Sequence, residues 1–177
     1  MDTVNEYTIT IFTENHVGLL SRISSVFTRR KINIESLTVS ESAIQGIHKF
    51  TVKVDVTEKM IQHINAQINK LVEVLMAYFH PNEEIVYQEI ALYKIPTKAL
   101  TESNKVESII RKHGAKIIEV TPNFTAIHKT GHRKETQLLF EELKEFNILQ
   151  FVRSGRIAIT RTKEEKLSEL LSKVDKK

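Results

Sequence analysis

Along the first eighty positions, segments in which every second residue is hydrophobic alternate with segments in which hydrophobic residues lie three and four positions apart. This alternation limits the fold more than any other feature. Tyr7, Ile9 and Ile11 alternate with polar residues, as do the apolar residues from Phe50 to Val56, and this period of two indicates half-buried β-strands. Between them, Leu19 to Phe27 places apolar residues three and four apart, which predicts an amphipathic helix. Strand and helix therefore alternate in this region.

Two further strands and a second helix complete the pattern. A strand that opens on Asn33 is predicted, with a one-residue slip or bulge near Glu35 that keeps its apolar side chains on one face. Thr57 is a suitable cap for a helix whose apolar stripe runs from Met60 to Leu71, and a last strand is predicted from Val72 to Met76. The resulting order, βαββαβ, predicts a ferredoxin-like antiparallel sheet with two helices on one face.

The second half of the chain repeats this order more faintly. The predicted elements are strands at Ile85–Ile95, Ala115–Val120, Phe124–His128 and Ile148–Val152, and helices from Thr101 to Gly114 and from Arg133 to Leu143. A break from His80 to Glu83 indicates a linker. We therefore predict an α+β fold of two ferredoxin-like βαββαβ domains, at residues 1–80 and 81–162, followed by a charged tail at 163–177.

Composition narrows the class of protein. The 177 residues are 41% hydrophobic and 27% charged, which provides enough apolar material for a buried core. No apolar run approaches the roughly 18 residues that span a bilayer, and the amino terminus lacks the pattern of a signal peptide. We therefore expect a cytoplasmic protein with no membrane partner. The absence of cysteine excludes disulfides, thiol catalysis and Cys-ligated zinc.

Catalytic and metal-binding patterns are missing from the sequence. Among seven histidines, His128 and His132 have a spacing used in metal sites, but Thr130 and Gly131 between them indicate a turn. Paired glutamates are adjacent in sequence and therefore point apart on a strand or helix. A nucleophile elbow, a phosphate-binding loop and a dinucleotide fingerprint are absent. We predict no catalytic residue and no metal ligand.

The predicted βαββαβ order also occurs in RNA-recognition domains, which stack bases on two or more aromatic side chains of their central strands. The third predicted strand offers only Phe50, whose parity places it with the buried valines. The net charge of +4 is a mild excess for a chain of this length. We therefore expect no nucleic-acid partner.

A turn that ends in glycine directly precedes the first predicted helix. The first amide groups of that helix, from Leu19 onward, have no intrahelical partners and carry the positive end of the helix dipole, so they can receive a carboxylate. Gly18 permits close approach of a ligand, and Asn15 and Asn33 add polar side chains. These groups suit a zwitterionic amino acid. The alternative is that Gly18 serves only a tight turn and that Asn33 only begins a strand.

Five segments resemble one known family. They are ENHVGLLSR at Glu14–Arg22, NIESLTV at Asn33–Val39, QINKLVEV at Gln67–Val74, EVTP at Glu119–Pro122 and RSG at Arg153–Gly155. Together they are similar, in order and over nearly the whole chain, to the small regulatory subunit of acetolactate synthase, also called acetohydroxyacid synthase, whose amino-terminal part is an ACT domain. The glycine turn occurs in many ACT domains, whereas its combination with the other segments is specific.

The resemblance implies a noncatalytic regulatory subunit. Its large-subunit partner would carry thiamine diphosphate, magnesium and FAD, with no cofactor in this chain, and would catalyse the first committed step toward valine, leucine and isoleucine. The small subunit would activate that partner and confer feedback inhibition, typically by valine. The effector would lie between the two ACT domains of a homodimer. On matching positions this makes Asn15, Gly18, Leu19, Asn33 and Ile34 the expected effector contacts.

Two segments depart from the family pattern. His16 and Val17 replace a pair that is commonly small or polar, and the loop from Glu41 to Gly46 is shorter than the proline-containing loops of many relatives. Effector preference is therefore left open. Two other functions also stay open, a stand-alone ACT-domain sensor that controls another enzyme or transcription, and a small enzyme on a ferredoxin-like scaffold.

Overall fold

The computed structural model describes residues 3–102 and 104–161. These residues form two compact units. Residues 3–87 together with 156–161 make the first unit, and residues 88–155 make the second. The predicted tail at 163–177 lies outside the described residues.

The first unit has the predicted βαββαβ order. Its elements are β1 (Val4–Glu14), α1 (Leu19–Thr28), β2 (Ser36–Glu41), β3 (Ile47–Thr57), α2 (Glu58–Ile68) and β4 (Val74–Pro81). The sheet has the order β2-β3-β1-β4, and every neighbouring pair is antiparallel. Both helices pack on one face of this sheet, where their apolar stripes meet the odd-numbered residues of β1 and the even-numbered residues of β3. The predicted ferredoxin-like fold is confirmed.

The two central strands are buried on both faces, so the prediction that they are half-buried is wrong. Ile9 and Ile11 of β1 face the helices, whereas Thr8 and Thr10 face away from them and are also buried. Alternation with threonine resembles a solvent-facing pattern, but threonine fits a covered strand when its hydroxyl has a partner. Thr8 Oγ1 accepts a hydrogen bond from Arg156 Nη1 at 2.9 Å.

In the first unit, both helices begin where the sequence predicts, but one residue of the predicted apolar stripe of α1 is exposed. Gly18 precedes α1, and Thr57 caps α2 by accepting a hydrogen bond from the Met60 amide at 3.3 Å. Leu20, which the predicted stripe included, is 48% exposed. Leu20 lies about 100° around the helix from the buried Leu19, so its side chain reaches solvent.

Two predicted strand limits are wrong. The backbone at Asn33 is not in a strand, and β2 begins only at Ser36, so no bulge near Glu35 is needed. The last strand omits Val72 and continues to Pro81, through the first part of the predicted linker. It continues because β1 pairs with it as far as Tyr7 opposite Pro81. Long-range pairing thus fixes both limits.

The second half of the chain has the same strand order. Its elements are β5 (Ile85–Pro96), α3 (Thr97–Thr101), α4 (Asn104–Lys112), β6 (Lys116–Val120), β7 (Phe124–Gly131), α5 (Arg133–Leu143), β8 (Gln150–Arg153) and β9 (Ile157–Thr160), with single 3-10 turns at Asn82–Glu84 and Lys144–Phe146. The path β6-β7-β5-β8 is antiparallel, and β9 also pairs with β5. This order corresponds position by position to that of the first sheet.

Two local predictions in the second half need correction. Thr101 ends α3 instead of capping the next helix, because its hydroxyl donates to carbonyl groups of the preceding turn. Thr130 and Gly131 belong to β7 and do not form the turn expected before His132. The pairing of β7 with β5 extends to Gly131 opposite Glu89, which keeps both residues in the strand.

The buried side chain of Arg156 explains why the compact units differ from the predicted ranges 1–80 and 81–162. Its guanidinium donates to Thr8 Oγ1, to Asn82 Oδ1 at 3.0 Å and to Glu6 Oε1 at 2.7 Å, and it stacks on the Tyr87 ring. These partners all lie in the first unit. A buried arginine is stable only when it is paired in this way, so the segment that carries it belongs with its partners.

Candidate functional site

The predicted glycine turn lies between β1 and α1. Its approach is fixed by two backbone hydrogen bonds, from the Glu14 amide to the Glu73 carbonyl and from the Asn15 amide to the Gly46 carbonyl, each 3.1 Å long. Gly18 ends the turn with φ of +83°, a conformation that glycine adopts without the strain a side chain would cause. The turn therefore presents the start of α1 in a defined position.

The start of α1 has no side-chain cap. Gly18 occupies the N-cap position and provides no capping hydrogen bond, and the first turn of the helix contains no acidic residue. The Leu19 amide donates weakly to the His16 carbonyl at 3.3 Å, and the amide groups that follow point along the helix axis. Together with the positive end of the helix dipole, they form a favourable position for a carboxylate.

A pocket of about 210 Å³ opens beside this helix start. It is lined by Thr13, Glu14, Asn15, His16, Gly18, Leu19, Leu20, Val39, His48 and Phe50. We call this pocket the turn pocket. Its volume is below the range of drug-sized sites and suits a small metabolite.

The floor of the turn pocket has a polar row and an apolar row. Thr13 of β1 lies opposite His48 of β3, and Phe50 of β3 lies opposite Val39 of β2. His48 and Phe50 are two residues apart on one face of β3, so the rows are about 7 Å apart along the strand. A ligand with one charged end and one apolar end can therefore contact both rows.

Two exposed apolar side chains border the turn pocket. Leu20 on α1 is 48% exposed, and Val39 on β2 is 40% exposed. Both would lose contact with water if an apolar ligand group bound between them, which favours binding by about 25 cal/mol for each Å² of apolar surface removed from water. The exposed side chains of Leu20 and Val39 therefore form an apolar part of the pocket wall.

The structure brings together three of the five predicted contact residues. Asn15, Gly18 and Leu19 line the turn pocket, although the Leu19 side chain is itself buried in the core. Asn33 and Ile34 do not line it. Asn33 is exposed and donates to Glu35 Oε1 at 2.9 Å, and Ile34 packs on the hydrophobic core.

Seven lining residues were not among the predicted contacts, and four of these seven form the two rows of the pocket floor. Thr13 and His48 form the polar row, and Val39 and Phe50 form the apolar row. The strand register was the signal that could have identified them, because the residue at the end of β1 must face the beginning of β3 in an antiparallel pair. Periodicity alone does not give that register.

Charged groups around the turn are paired with one another. His16 Nε2 lies 3.0 Å from Glu14 Oε2, and Arg22 on α1 forms an ion pair with Glu73. Glu14 is close enough to the turn pocket to interact with a positively charged ligand group. The pocket thus combines helix amides for a negative group with a carboxylate and an amide side chain for a positive one.

Two further properties concern the described residues 3–102 and 104–161. In this part of the chain, no three His, Cys, Asp or Glu side chains are grouped so that they could hold a metal ion. None of the helices found there is long and apolar enough to cross a membrane.

Comparison with protein families gives two matches that together cover most of the chain. Residues 9–76 match the family described as AHAS small subunit-like ACT domain. Residues 88–162 match the family described as small subunit of acetolactate synthase. The first match contains the turn pocket.

Two bacterial relatives match over nearly their whole length. The acetolactate synthase small subunit of Bacillus subtilis is 32% identical over 161 residues, which cover 90% of this chain and 93% of the relative. The acetolactate synthase small subunit of Mycobacterium bovis is 29% identical over 155 residues, which cover 88% of this chain and 92% of the relative. Each alignment is long enough to extend through both halves of the chain.

A solved structure agrees with these matches. The crystal structure of the acetolactate synthase small subunit from Thermotoga maritima superimposes with a TM-score of 0.79 at 27% identity, and it covers 90% of this chain and 99% of that chain. The sequence and structural matches extend through both halves, and the turn pocket lies in the part that matches the ACT domain. This chain therefore belongs to the acetolactate synthase small subunit family.

Proposed function

We propose that this chain is a noncatalytic regulatory subunit that activates the large subunit of acetolactate synthase and makes it sensitive to a branched-chain amino acid, with valine as the preferred effector. The observation that carries the proposal is the turn pocket at an uncapped helix start in a chain of this family. The large subunit would contribute the active site with thiamine diphosphate, magnesium and FAD.

The groups of the turn pocket fit the three parts of such an effector. The carboxylate would accept hydrogen bonds from the first amide groups of α1. The ammonium group would be held by Asn15 and by the carboxylate of Glu14. The branched side chain would lie against the apolar row of Val39 and Phe50 and against Leu20. Each part of the ligand meets a chemically matched part of the pocket.

A homodimer would bring Asn33 to the same pocket. β2 forms one edge of its sheet, and an open edge can pair with the same strand of a second copy. In an antiparallel pairing of the two β2 strands, the residues before Ser36 of one chain would lie beside the region after Glu41 of the other. Asn33 would then approach the turn pocket of its partner, which supports an effector site shared by two chains.

Regulation would follow from unequal binding to two states of the dimer. An effector changes a partner's behaviour only if it binds one state more tightly, and such coupling typically amounts to about 1–3 kcal/mol. A site built from two chains is sensitive to their arrangement, because a small shift would separate Asn33 from the opposite turn. Valine would thus select the arrangement in which the large subunit is less active.

The proposal is tested by measuring acetolactate formation by the cognate large subunit with and without this chain, during titration with valine, leucine and isoleucine. We expect the chain to increase the rate and valine to reduce it again. A chain that co-purifies with no thiamine-dependent synthase and leaves its rate unchanged, yet binds an amino acid, would instead support the stand-alone sensor.

Replacement of Asn33 by alanine should relieve valine inhibition while activation by the chain is retained. The side chain is exposed and its intrachain partner is Glu35, so its loss leaves the core intact. A removed hydrogen bond to a charged ligand group typically costs about 1.5–3 kcal/mol, which corresponds to a tenfold or greater rise in the valine concentration for half inhibition. The measurement is inhibition of the reconstituted enzyme.

The matched control for this substitution is Glu35→Ala, which breaks the same intrachain hydrogen bond but keeps the Asn33 amide. This variant should remain valine-sensitive. Full sensitivity of the Asn33→Ala enzyme would remove Asn33 from the effector site.

A further inference from the structure

The hydroxyl group of Thr13 is a buried polar group without a hydrogen-bond partner among the residues that the structure describes. Thr13 is 0% exposed, is the second-last residue of β1 and lines the turn pocket. Buried polar groups are nearly always hydrogen-bonded in native proteins, because an unpaired one lowers stability. The unpaired hydroxyl therefore needs an explanation, and its position at the pocket suggests one.

We propose that the bound amino acid supplies the missing partner, so that Thr13 Oγ1 hydrogen-bonds the polar end of the effector. This inference rests on the proposed function, since it concerns the same pocket. It assigns to Thr13 a contact that the sequence did not predict and makes Thr13 a determinant of effector affinity.

The strand register places Thr13 at the polar end of the turn pocket. It lies opposite His48, and both side chains face the helices, as does Ile11 two positions earlier in β1. The start of α1 lines the same pocket through Gly18 and Leu19. A ligand whose carboxylate meets the α1 amides and whose side chain reaches Phe50 would therefore bring its charged end to the row that contains Thr13.

A hydroxyl group suits this position for two reasons. It can both donate and accept, so it can bind either a carboxylate or an ammonium group. It can also change partners by rotation about the Cα–Cβ bond, because threonine has more than one staggered side-chain position and the backbone need not move. Thr13 can thus be shielded from water in the free protein and engage the ligand on binding.

The chain offers a matched control for this proposal. Thr38 Oγ1 is likewise buried and lacks a hydrogen-bond partner within residues 3–102 and 104–161, but Thr38 does not line the turn pocket. Replacement of either threonine by valine keeps the shape of the side chain and removes the unpaired hydroxyl. Only the change at Thr13 should affect the ligand.

The experiment measures valine binding to the full chain by calorimetry, and thermal unfolding without valine, for the wild type and for Thr13→Val, Thr13→Ser and Thr38→Val. We expect Thr13→Val to bind valine about tenfold or more weakly, since it loses a hydrogen bond to a charged group. Thr13→Ser and Thr38→Val should stay within about threefold of the wild type. Ligand-free Thr13→Val should unfold at an equal or higher temperature, because it lacks an unsatisfied buried group.

The combination of weaker binding and undiminished stability separates ligand contact from a structural role, which would lower the unfolding temperature. Wild-type affinity in Thr13→Val would overturn the inference and leave the proposed function standing. Weaker binding in Thr13→Val that is matched by a lower unfolding temperature would also overturn it. If the wild type itself bound none of the three branched-chain amino acids, the proposed function would fail and the inference with it.

Discussion

At the scale of single residues, the backbone conformation of Gly18 leaves room for the proposed ligand at the start of α1. Its φ of +83° lies in the left-handed region, and a Cβ atom built on it would meet no atom of residues 3–102 and 104–161 within 4 Å. No described residue fills the space in front of the glycine, and the backbone strain of a side chain at this φ costs about 1–2 kcal/mol. A ligand can occupy the space that a side chain would fill.

Replacement of Gly18 by aspartate should abolish valine binding with only a modest loss of stability. The new carboxylate would lie at the helix start, where it would satisfy the amide groups and repel the carboxylate of the effector. Binding is measured by calorimetry and stability by urea unfolding. Gly114→Asp is the control, because Gly114 has φ of +59° and lies in the second unit, and its built Cβ likewise meets no atom of the part of the chain that the structure describes within 4 Å.

Gly114→Asp should lose a similar amount of stability and bind valine normally. Equal valine binding by the Gly18 and Gly114 variants would show that the carboxylate of the ligand does not lie at the start of α1.

Sequence reasoning could identify Gly18 and Asn15 but not Thr13. A glycine directly before an amphipathic stripe indicates a turn with free helix amides, and this signal is local. The importance of Thr13 depends on the absence of a partner for its hydroxyl among residues 3–102 and 104–161, which only the three-dimensional neighbourhood reveals. Asn33 could be identified from its sequence motif. Its backbone, however, lies in an irregular segment and not, as was predicted, at the start of a strand.

At the scale of elements, the network around Glu6 connects β1 with the segment that leads into β9. Glu6 Oε2 lies 2.5 Å from Lys53 Nζ on β3, and Glu6 Oε1 accepts hydrogen bonds from Asn82 Nδ2 and Arg156 Nη2, each at 2.7 Å. Burial raises the pKa of Glu6, but the hydrogen bonds from Lys53, Asn82 and Arg156 outweigh it and lower the pKa to about 2.

This lowered pKa predicts how stability depends on pH. The folded-state pKa lies below the unfolded value of about 4.5, so the contribution of Glu6 is fully present above pH 4.5 and is lost as the pH falls toward 2. With allowance for partial exposure, it amounts to about 2 kcal/mol. Glu6→Gln should be less stable at pH 7, because Arg156 and Lys53 stay buried without their carboxylate, and its stability should fall less between pH 4.5 and pH 2.

The measurement is urea unfolding of the full chain across this pH range. Glu107→Gln is the control, since Glu107 forms an exposed helix-surface pair with Arg111 and its loss should change stability by at most about 0.5 kcal/mol. A Glu6→Gln protein with the stability and pH profile of the wild type would contradict the role given to the network.

Element types could be predicted more reliably than their limits. The stripes of α1 and α2 and the alternation in β3 are local patterns, and each produced the element expected. The limits of β2 and β4 depend on strand pairing, and β9 was missed because its apolar residues Ile157 and Ile159 are exposed and do not mark a buried face. Short strands with exposed apolar residues carry too weak a period to detect in one sequence.

At the scale of the whole molecule, one strand order occurs twice along the chain. The paths β2-β3-β1-β4 and β6-β7-β5-β8 correspond position by position, and the faint repeat in hydrophobic spacing was sufficient to predict both. The limits of the compact units were not predictable in the same way. They depend on Arg156, which is 150 positions from its partner Glu6.

The central claim is that the turn pocket of this chain binds a free branched-chain amino acid. Calorimetric titration of the purified chain with valine, leucine and isoleucine tests it most directly. The account predicts saturable heat with at least one of the three, strongest for valine, and none from the Gly18→Asp variant. Absence of heat from the wild type with all three amino acids, or equal heat from Gly18→Asp, would contradict it.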